Sequence, residues 1–368
     1  MKKKKVLHLL NSGFGLQGNI GFRTLMLLKN SNESVEHFII ARSGIRYYNV
    51  IRLLPLGYFS RLMNLIRKKV LSSFNHRIIE IYIWEMIGLL YLRFAWSKID
   101  IVHSWDYLPK VASQCRKLGI CYMQEVPILP MSYNRKHQLE TRVFYSRSLE
   151  KQESLAIKLA NFVLCPSNYV SEYISDITKN PVTIPFGAKT LESSKQIKDS
   201  EASNHTYIFV GNINLRKGFD ILIEAWLDPV FDGDRLLVLG RRDKSIPKEW
   251  LSVRGLEYLG YQNPNPFYCE SDTFVLPSFS EGSAKVVYEA ASHRLFCIVS
   301  AQAGSVLENM KDGIVLREIT KQNLVEAMLL AKSNLDLRQK FQMAIVYKIQ
   351  RFTWKTYSDK VHKLYERV

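Results

Sequence analysis

Two carboxylates, Glu281 and Glu289, lie eight residues apart in the run Asp-Thr-Phe-Val-Leu-Pro-Ser-Phe-Ser-Glu-Gly-Ser-Ala-Lys-Val-Val-Tyr-Glu, residues 272–289. Gly282, Ser283 and Ala284 follow the first of them. If a helix starts there, its backbone N–H groups carry the positive end of the helix dipole outward, which suits a phosphate. Gly282 has no side chain to keep a ligand off the backbone. A carboxylate beside such donors can accept sugar hydroxyls, and a second can grip a ribose diol. Arg216 and Lys217, in the loop of residues 211–218, supply the cations: a fork for bidentate phosphate binding and a point charge. The plainer reading is a charged helix start, with Lys285 and Glu289 paired across one turn for about a few tenths of a kcal/mol.

These residues need strand ends to hold them. Thr273 to Leu276 is a short apolar run stopped by Pro277 and Ser278, which reads as a buried strand. Val286, Val287 and Ala290 then recur at helical spacing. Tyr207–Val210, Leu236–Leu239, Tyr258–Gly260 and Phe296–Val299 read as further strands, and Asp220 as the cap of a helix with Ile221, Leu222 and Ala225 facing in. The first half alternates in the same way, through Val6–Leu10, His37–Ala41, Ile99–His103, Ile120–Met123, Phe162–Cys165 and Val182–Ile184. Repeated strand–helix units imply parallel sheets, with ligands outside the carboxyl ends of the strands. His103 closes one such strand and is a candidate ligand-facing group; a hydrogen-bonded strand-end histidine is the alternative.

Gly13-x-Gly15-x-x-Gly18 between a strand and a helix matches the dinucleotide fingerprint. A classical NAD site wants an acid at the end of the next strand, where Arg42 stands. An NADP-dependent oxidoreductase therefore remains an alternative, although a loop of this kind cradles phosphate in other doubly wound domains too.

The chain has 368 residues, enough for two domains. Residues 188–205 are rich in Ser, Lys and Glu and poor in apolar side chains, a linker by composition. The expected division is 1–187, a linker at 188–205, a second domain at 206–351, and a closing helix at 352–368 that returns to the first domain. The formal net charge of +17 calls for an anionic partner: nucleic acid, an anionic membrane surface or a phosphorylated substrate. Five scattered cysteines without metal-ligand spacing point to a reducing compartment. Lys2–Lys5 before Val6–Leu10 imitate a signal peptide, but the apolar core is too short. The longest apolar run, Ile81 to Trp96, is broken by Glu85 and Arg93, so no spanning helix is expected.

Residues 42–77 hold Arg42, Arg46, Arg52, Arg61, Arg67, Lys68, Lys69 and Arg77 with no acid among them, interleaved with apolar and aromatic residues. That pattern suits an interfacial helix on anionic lipid, each cation contributing on the order of 1 kcal/mol. A solvated basic helix over a core is the alternative. Nucleic acid is a third option, without zinc spacing, a helix-turn-helix or an aromatic RNA platform to support it; a non-catalytic basic membrane or nucleic-acid binding module is the competing class.

Val210-Gly-Asn…Arg216-Lys217-Gly218, Leu276-Pro-Ser…Glu281-Gly282…Glu289-Ala290 and Gly304-Ser305…Glu308 together resemble the family 4 retaining glycosyltransferases. The first half matches only in strand layout and glycine loop. The resemblance implies the GT-B fold: two Rossmann-like, doubly wound α/β domains with parallel sheets, facing across a cleft. It implies a nucleotide-sugar donor, UDP-linked or GDP-linked, held mainly by the second domain without a metal. Lys217 with Arg216 would neutralise the diphosphate. Glu281 and the amides of Gly282, Ser283 and Ala284 would hold the sugar, Glu289 the ribose, and Gly15 and Gly18 would meet the diphosphate. Members usually carry an arginine where Asn212 stands and many a histidine where Gln124 stands; Arg216 and His103 are the candidates to substitute. Transfer with retention to a glycan or lipid-linked acceptor follows, as in capsule, O-antigen or exopolysaccharide assembly, by a cytoplasmic enzyme on the inner face of the plasma membrane.

Overall fold

A computed structural model describes residues 3–16, 20–47, 50–52, 76–188 and 204–368. The chain forms two compact units. One comprises Met1–Tyr133, Tyr145–Phe186 and Trp354–Val368; the other comprises Asn134–Phe144 and Gly187–Thr353.

The first unit is built on strands β1 (Lys4–Phe14), β2 (Val35–Gly44), β3 (Val50–Arg52), β4 (Ile101–Ser104), β5 (Cys121–Glu125), β6 (Phe162–Cys165) and β7 (Pro181–Thr183). They form one parallel sheet in the order β3-β2-β1-β4-β5-β6-β7. Strands β4 and β5 are buried along their whole length, as continuous apolar runs in a parallel sheet covered on both faces should be. The closing helix, Trp354–Tyr365, belongs here. Its Tyr357, Val361, Leu364 and Tyr365 join the core of Val6, Leu10, Ile101 and Met123.

In the second unit, β8 (Thr206–Val210), β9 (Arg235–Leu239), β10 (Leu256–Gly260), β11 (Thr273–Leu276), β12 (Phe296–Ser300) and β13 (Ile314–Leu316) form a parallel sheet in the order β10-β9-β8-β11-β12-β13. The order reverses beside β8, which puts the carboxyl ends of β8 and β11 side by side. Crevices of this kind take ligands in open α/β sheets.

Several expectations are corrected in detail. The first strand runs on through Gly13 to Phe14, and the last strand of the first sheet is Pro181–Thr183 rather than Val182–Ile184. Asp220 is not a helix cap: Gly218 occupies that place, and Asp220 lies in the first turn of helix Phe219–Trp226. Of the basic tract at 42–77, residues 48–49 and 53–75 lie outside the described residues. In its described part, Arg42 lies in β2 and Val50–Arg52 form the short edge strand β3. Helix His76–Ala95 begins at its end. Of the expected linker, Ala188 and His205 are buried and 189–203 lie outside the described residues.

Candidate functional site

The polar cluster sits where β8 and β11 end. After β8 the chain forms a short turn, Leu215–Lys217, capped by the Asn214 side chain, which accepts from the Lys217 amide at 3.0 Å. Gly218 follows at φ +68°, and a Cβ there would stand 2.0 Å from the Pro277 carbonyl oxygen. Only glycine allows the turn to press against the chain leaving β11. On the other side, the Arg216 carbonyl accepts from the Phe279 amide at 2.8 Å and the Ser278 hydroxyl at 3.3 Å. Two loops more than sixty residues apart in sequence are thus sewn together.

That seam aims three charges at one point. The Lys217 ammonium lies 2.7 Å from Oε1 of Glu281. Arg216 pairs with the same carboxylate and also donates to the Ser280 carbonyl at 2.6 Å. Lys217 and Glu281 are nearly buried, with side chains 10% and 15% exposed. Burial alone would raise the Glu281 carboxyl, but Lys217 and Arg216 more than offset it and hold the group below its ordinary range. Burial likewise pulls the Lys217 ammonium down, opposed by Glu281. The buried Ser280 hydroxyl has no hydrogen-bond partner among the described residues.

The other expected residues divide. Gly282 and Ser283 are buried directly behind Glu281, and the Ser283 hydroxyl donates to Tyr288 at 3.2 Å. The Ala284 amide is not turned outward for a ligand. It donates to the Ala303 carbonyl at 3.0 Å because the chain after β12 packs against it, and the helix opens only at Lys285. Glu289 pairs with Lys285 at 2.7 Å across one turn, the plainer arrangement weighed above. Asn212 is exposed at the mouth of the β8 loop.

In the first unit, Gly15 has φ +77° and Gly18 lies outside the described residues. A glycine outside the fingerprint does the packing: a Cβ on Gly21 would stand 2.0 Å from the Gly13 carbonyl oxygen. His103 is corrected more sharply. It is fully buried, with Nε2 3.1 Å from Glu125, Nδ1 2.5 Å from the Tyr365 hydroxyl and its ring stacked on Trp105. The closing helix covers the strand end, so His103 is a core histidine and not a ligand-facing one. It adjoins His8, which contacts His37; His37 in turn lies near His362. Among the described residues no group of side chains could hold a metal ion, and no helix is long and apolar enough to cross a membrane.

No motif in the sequence marks Arg142, which pairs with Asp220 beside the cluster. It comes from the segment Asn134–Phe144, which packs with the second unit although the chain on both sides of it belongs to the first. A cavity of about 350 Å³ lies along this segment, lined by Glu140, Thr141, Asn214, Arg216, Asp243 and Ser245 among others.

Residues 204–334 match the family described as Glycosyl transferases group 1. The matched residues all lie in the second unit. A curated relative, an uncharacterized glycosyltransferase of Methanocaldococcus jannaschii, is 24% identical over 213 residues. That match covers 56% of this chain and 59% of the relative, less than two thirds of its length. Sucrose-phosphate synthase from Thermosynechococcus elongatus superposes with a TM-score of 0.73 at 15% identity, covering 100% of this chain and 99% of the other. HepE of Anabaena, solved in complex with UDP and glucose, gives 0.66 at 12% identity, covering 99% and 100%. The fold is GT-B, and the Lys217–Glu281 cluster lies within the residues that match the family.

Proposed function

We propose that this chain is a glycosyltransferase that moves a sugar from a nucleotide-sugar donor, UDP-linked, to an acceptor hydroxyl with retention. The observation that carries the reading is the convergence of Lys217, Arg216 and Glu281 at the switch point of the second sheet. Two cations against one carboxylate leave a local excess of one positive charge, ready for a diphosphate. On donor binding the diphosphate takes Lys217 and Arg216, and Glu281 turns to the sugar hydroxyls. Glu289 exchanges Lys285 for the ribose diol, and the Gly282 and Ser283 amides complete the cradle. The acceptor oxygen bonds to the anomeric carbon on the face the leaving group departs from. The carbon–oxygen bond to the diphosphate breaks with its electron pair, and the departing phosphate oxygen takes the acceptor's proton. Lys217, Arg216 and the backbone stabilise the developing charge without a metal.

The acceptor is a lipid-linked glycan of surface polysaccharide assembly, bound on the first unit, with the basic tract at 42–77 resting on an anionic inner membrane face. Helix His76–Ala95 supports a lipid-facing surface: Tyr82, Met86, Leu90 and Phe94 recur every fourth residue and are exposed, Phe94 at 82%. Such a ridge beside a tract with no acids suits the interface of an anionic bilayer.

A thermal-shift panel of UDP-sugars, GDP-sugars, NADPH and RNA tests the class. Stabilisation by a nucleotide-sugar, abolished in Lys217→Ala, is expected. Stabilisation by NADPH alone would return the oxidoreductase reading, and by RNA alone the binding module.

A further inference from the structure

We propose that Arg142 is a positioning residue for the donor site, fixing the turn that presents Lys217 and Arg216 without touching the ligand. This rests on the donor-site reading above. The segment that carries Arg142 is a tight knot: the Leu139 amide donates to the Asn134 carbonyl at 2.7 Å, and the amides of Arg142 and Val143 donate back to Leu139 at 2.8 and 2.9 Å. From that base one guanidinium meets three pieces of the second unit. It donates to the Leu215 carbonyl at 3.0 Å, inside the turn that holds Lys217. It pairs with Asp220 at 2.7 Å, in the first turn of the following helix. Its Cζ stands 4.1 Å from the centre of the Phe279 ring.

Phe279 is the reason the third contact matters. Its amide holds the Arg216 carbonyl at 2.8 Å, and it lies two residues before Glu281. Arg142 therefore joins both loops of the seam, and it lines the same cavity as Arg216 while its guanidinium is held by Leu215 and Asp220. A guanidinium is suited to this. Its planar face covers the ring while its edge satisfies a carbonyl and a carboxylate; a lysine offers one point charge and no plane. The side chain is about one-fifth exposed, at 22%, and its charge is spent on Asp220 rather than offered to a ligand. With the guanidinium gone, the Leu215 carbonyl and the Asp220 carboxylate lose a shared donor, and the turn is free to shift. Displacements of this kind, remote from the ligand, degrade a preorganised site.

The test measures nucleoside diphosphate binding by titration calorimetry, with the tightest of UDP, GDP and ADP as probe. Arg142→Ala and Arg142→Lys are compared with wild type, each also in a Lys217→Ala background. Arg142→Ala should weaken binding about tenfold, with Arg142→Lys in between, and added guanidinium should restore Arg142→Ala in part. The same changes should have a smaller effect once Lys217 is gone, because only Arg216 is then left for the turn to present. A purely structural role lowers the melting temperature but leaves the dissociation constant of the folded protein unchanged. Unchanged affinity in both Arg142 variants, or an equal loss in the two backgrounds, would overturn the proposal. Wild-type affinity in Lys217→Ala, or no diphosphate binding in wild type, would instead bring down the donor-site reading, and the proposal with it.

Discussion

Glu281→Gln separates the two jobs assigned to that carboxylate. It neutralises Lys217 at 2.7 Å as well as Arg216, with little solvent between them. At an effective dielectric near 20, one pair at that distance is worth roughly 6 kcal/mol before desolvation is subtracted. Breaking a buried pair by removing one partner typically costs about 3–5 kcal/mol, since the other charge stays behind unpaired. Glutamine keeps the shape and returns part of the hydrogen bonding, so a loss of about 3 kcal/mol is expected. At roughly 2–4 °C per kcal/mol for a unit of this size, calorimetry should find the melting point of the second unit lower by about 6–12 °C. Diphosphate binding should move the opposite way. The cations no longer have a resident carboxylate to give up, so UDP should bind about tenfold more tightly, a gain of about 1.4 kcal/mol. On the proposed reading sugar transfer should nevertheless fall, because the carboxylate assigned to the donor hydroxyls has lost its charge. Weaker UDP binding together with an unchanged melting point would refute the reasoning.

Three further outcomes are expected. Gly218→Ala forces a methyl to within 2.0 Å of the Pro277 carbonyl oxygen at φ +68°, so denaturant titration should find at least about 1–3 kcal/mol lost. Burial, with His362 and His103 adding, pulls His37 down from its ordinary value to about 3. The unfolded chain therefore takes up a proton near pH 6.5 that the folded chain refuses, and this stability is complete above pH 6.5 and lost as the pH falls toward 3. Between pH 7 and 5 the loss is about 2 kcal/mol, and His37→Gln should flatten the profile by that amount; parallel profiles would remove the assignment. Neutralising Arg67, Lys68 and Lys69 should loosen co-sedimentation with anionic vesicles by about 1 kcal/mol per charge, and unchanged sedimentation would remove the membrane surface from the reading.

What the sequence made legible was whatever a short window contains. Thr273–Leu276 was readable end to end because an apolar run met Pro277, and the structure keeps those bounds. The two parallel sheets followed from alternation alone. Pairing across long loops was not legible. Arg142 finds its partners 73 and 78 residues away, in a segment with no periodic pattern to mark it. His103 looked like a group at an open strand end, and only the helix that returns 262 residues later closes over it. Ala284 reads as an outward amide in the sequence because the carbonyl that takes it belongs to the chain after the next strand. Gly21 escaped notice because its purpose is a backbone neighbour, Gly13, rather than a motif position.

The segment Asn134–Phe144 has a consequence for how this protein can be recombined. A hybrid joined near residue 190 exchanges everything before the join for a relative's chain. It would in fact leave the second unit's own brace on the discarded half and receive a foreign one grown against different loops. Grafts that carry residues 134–144 along with the lobe they support are the ones expected to keep their affinity for the donor.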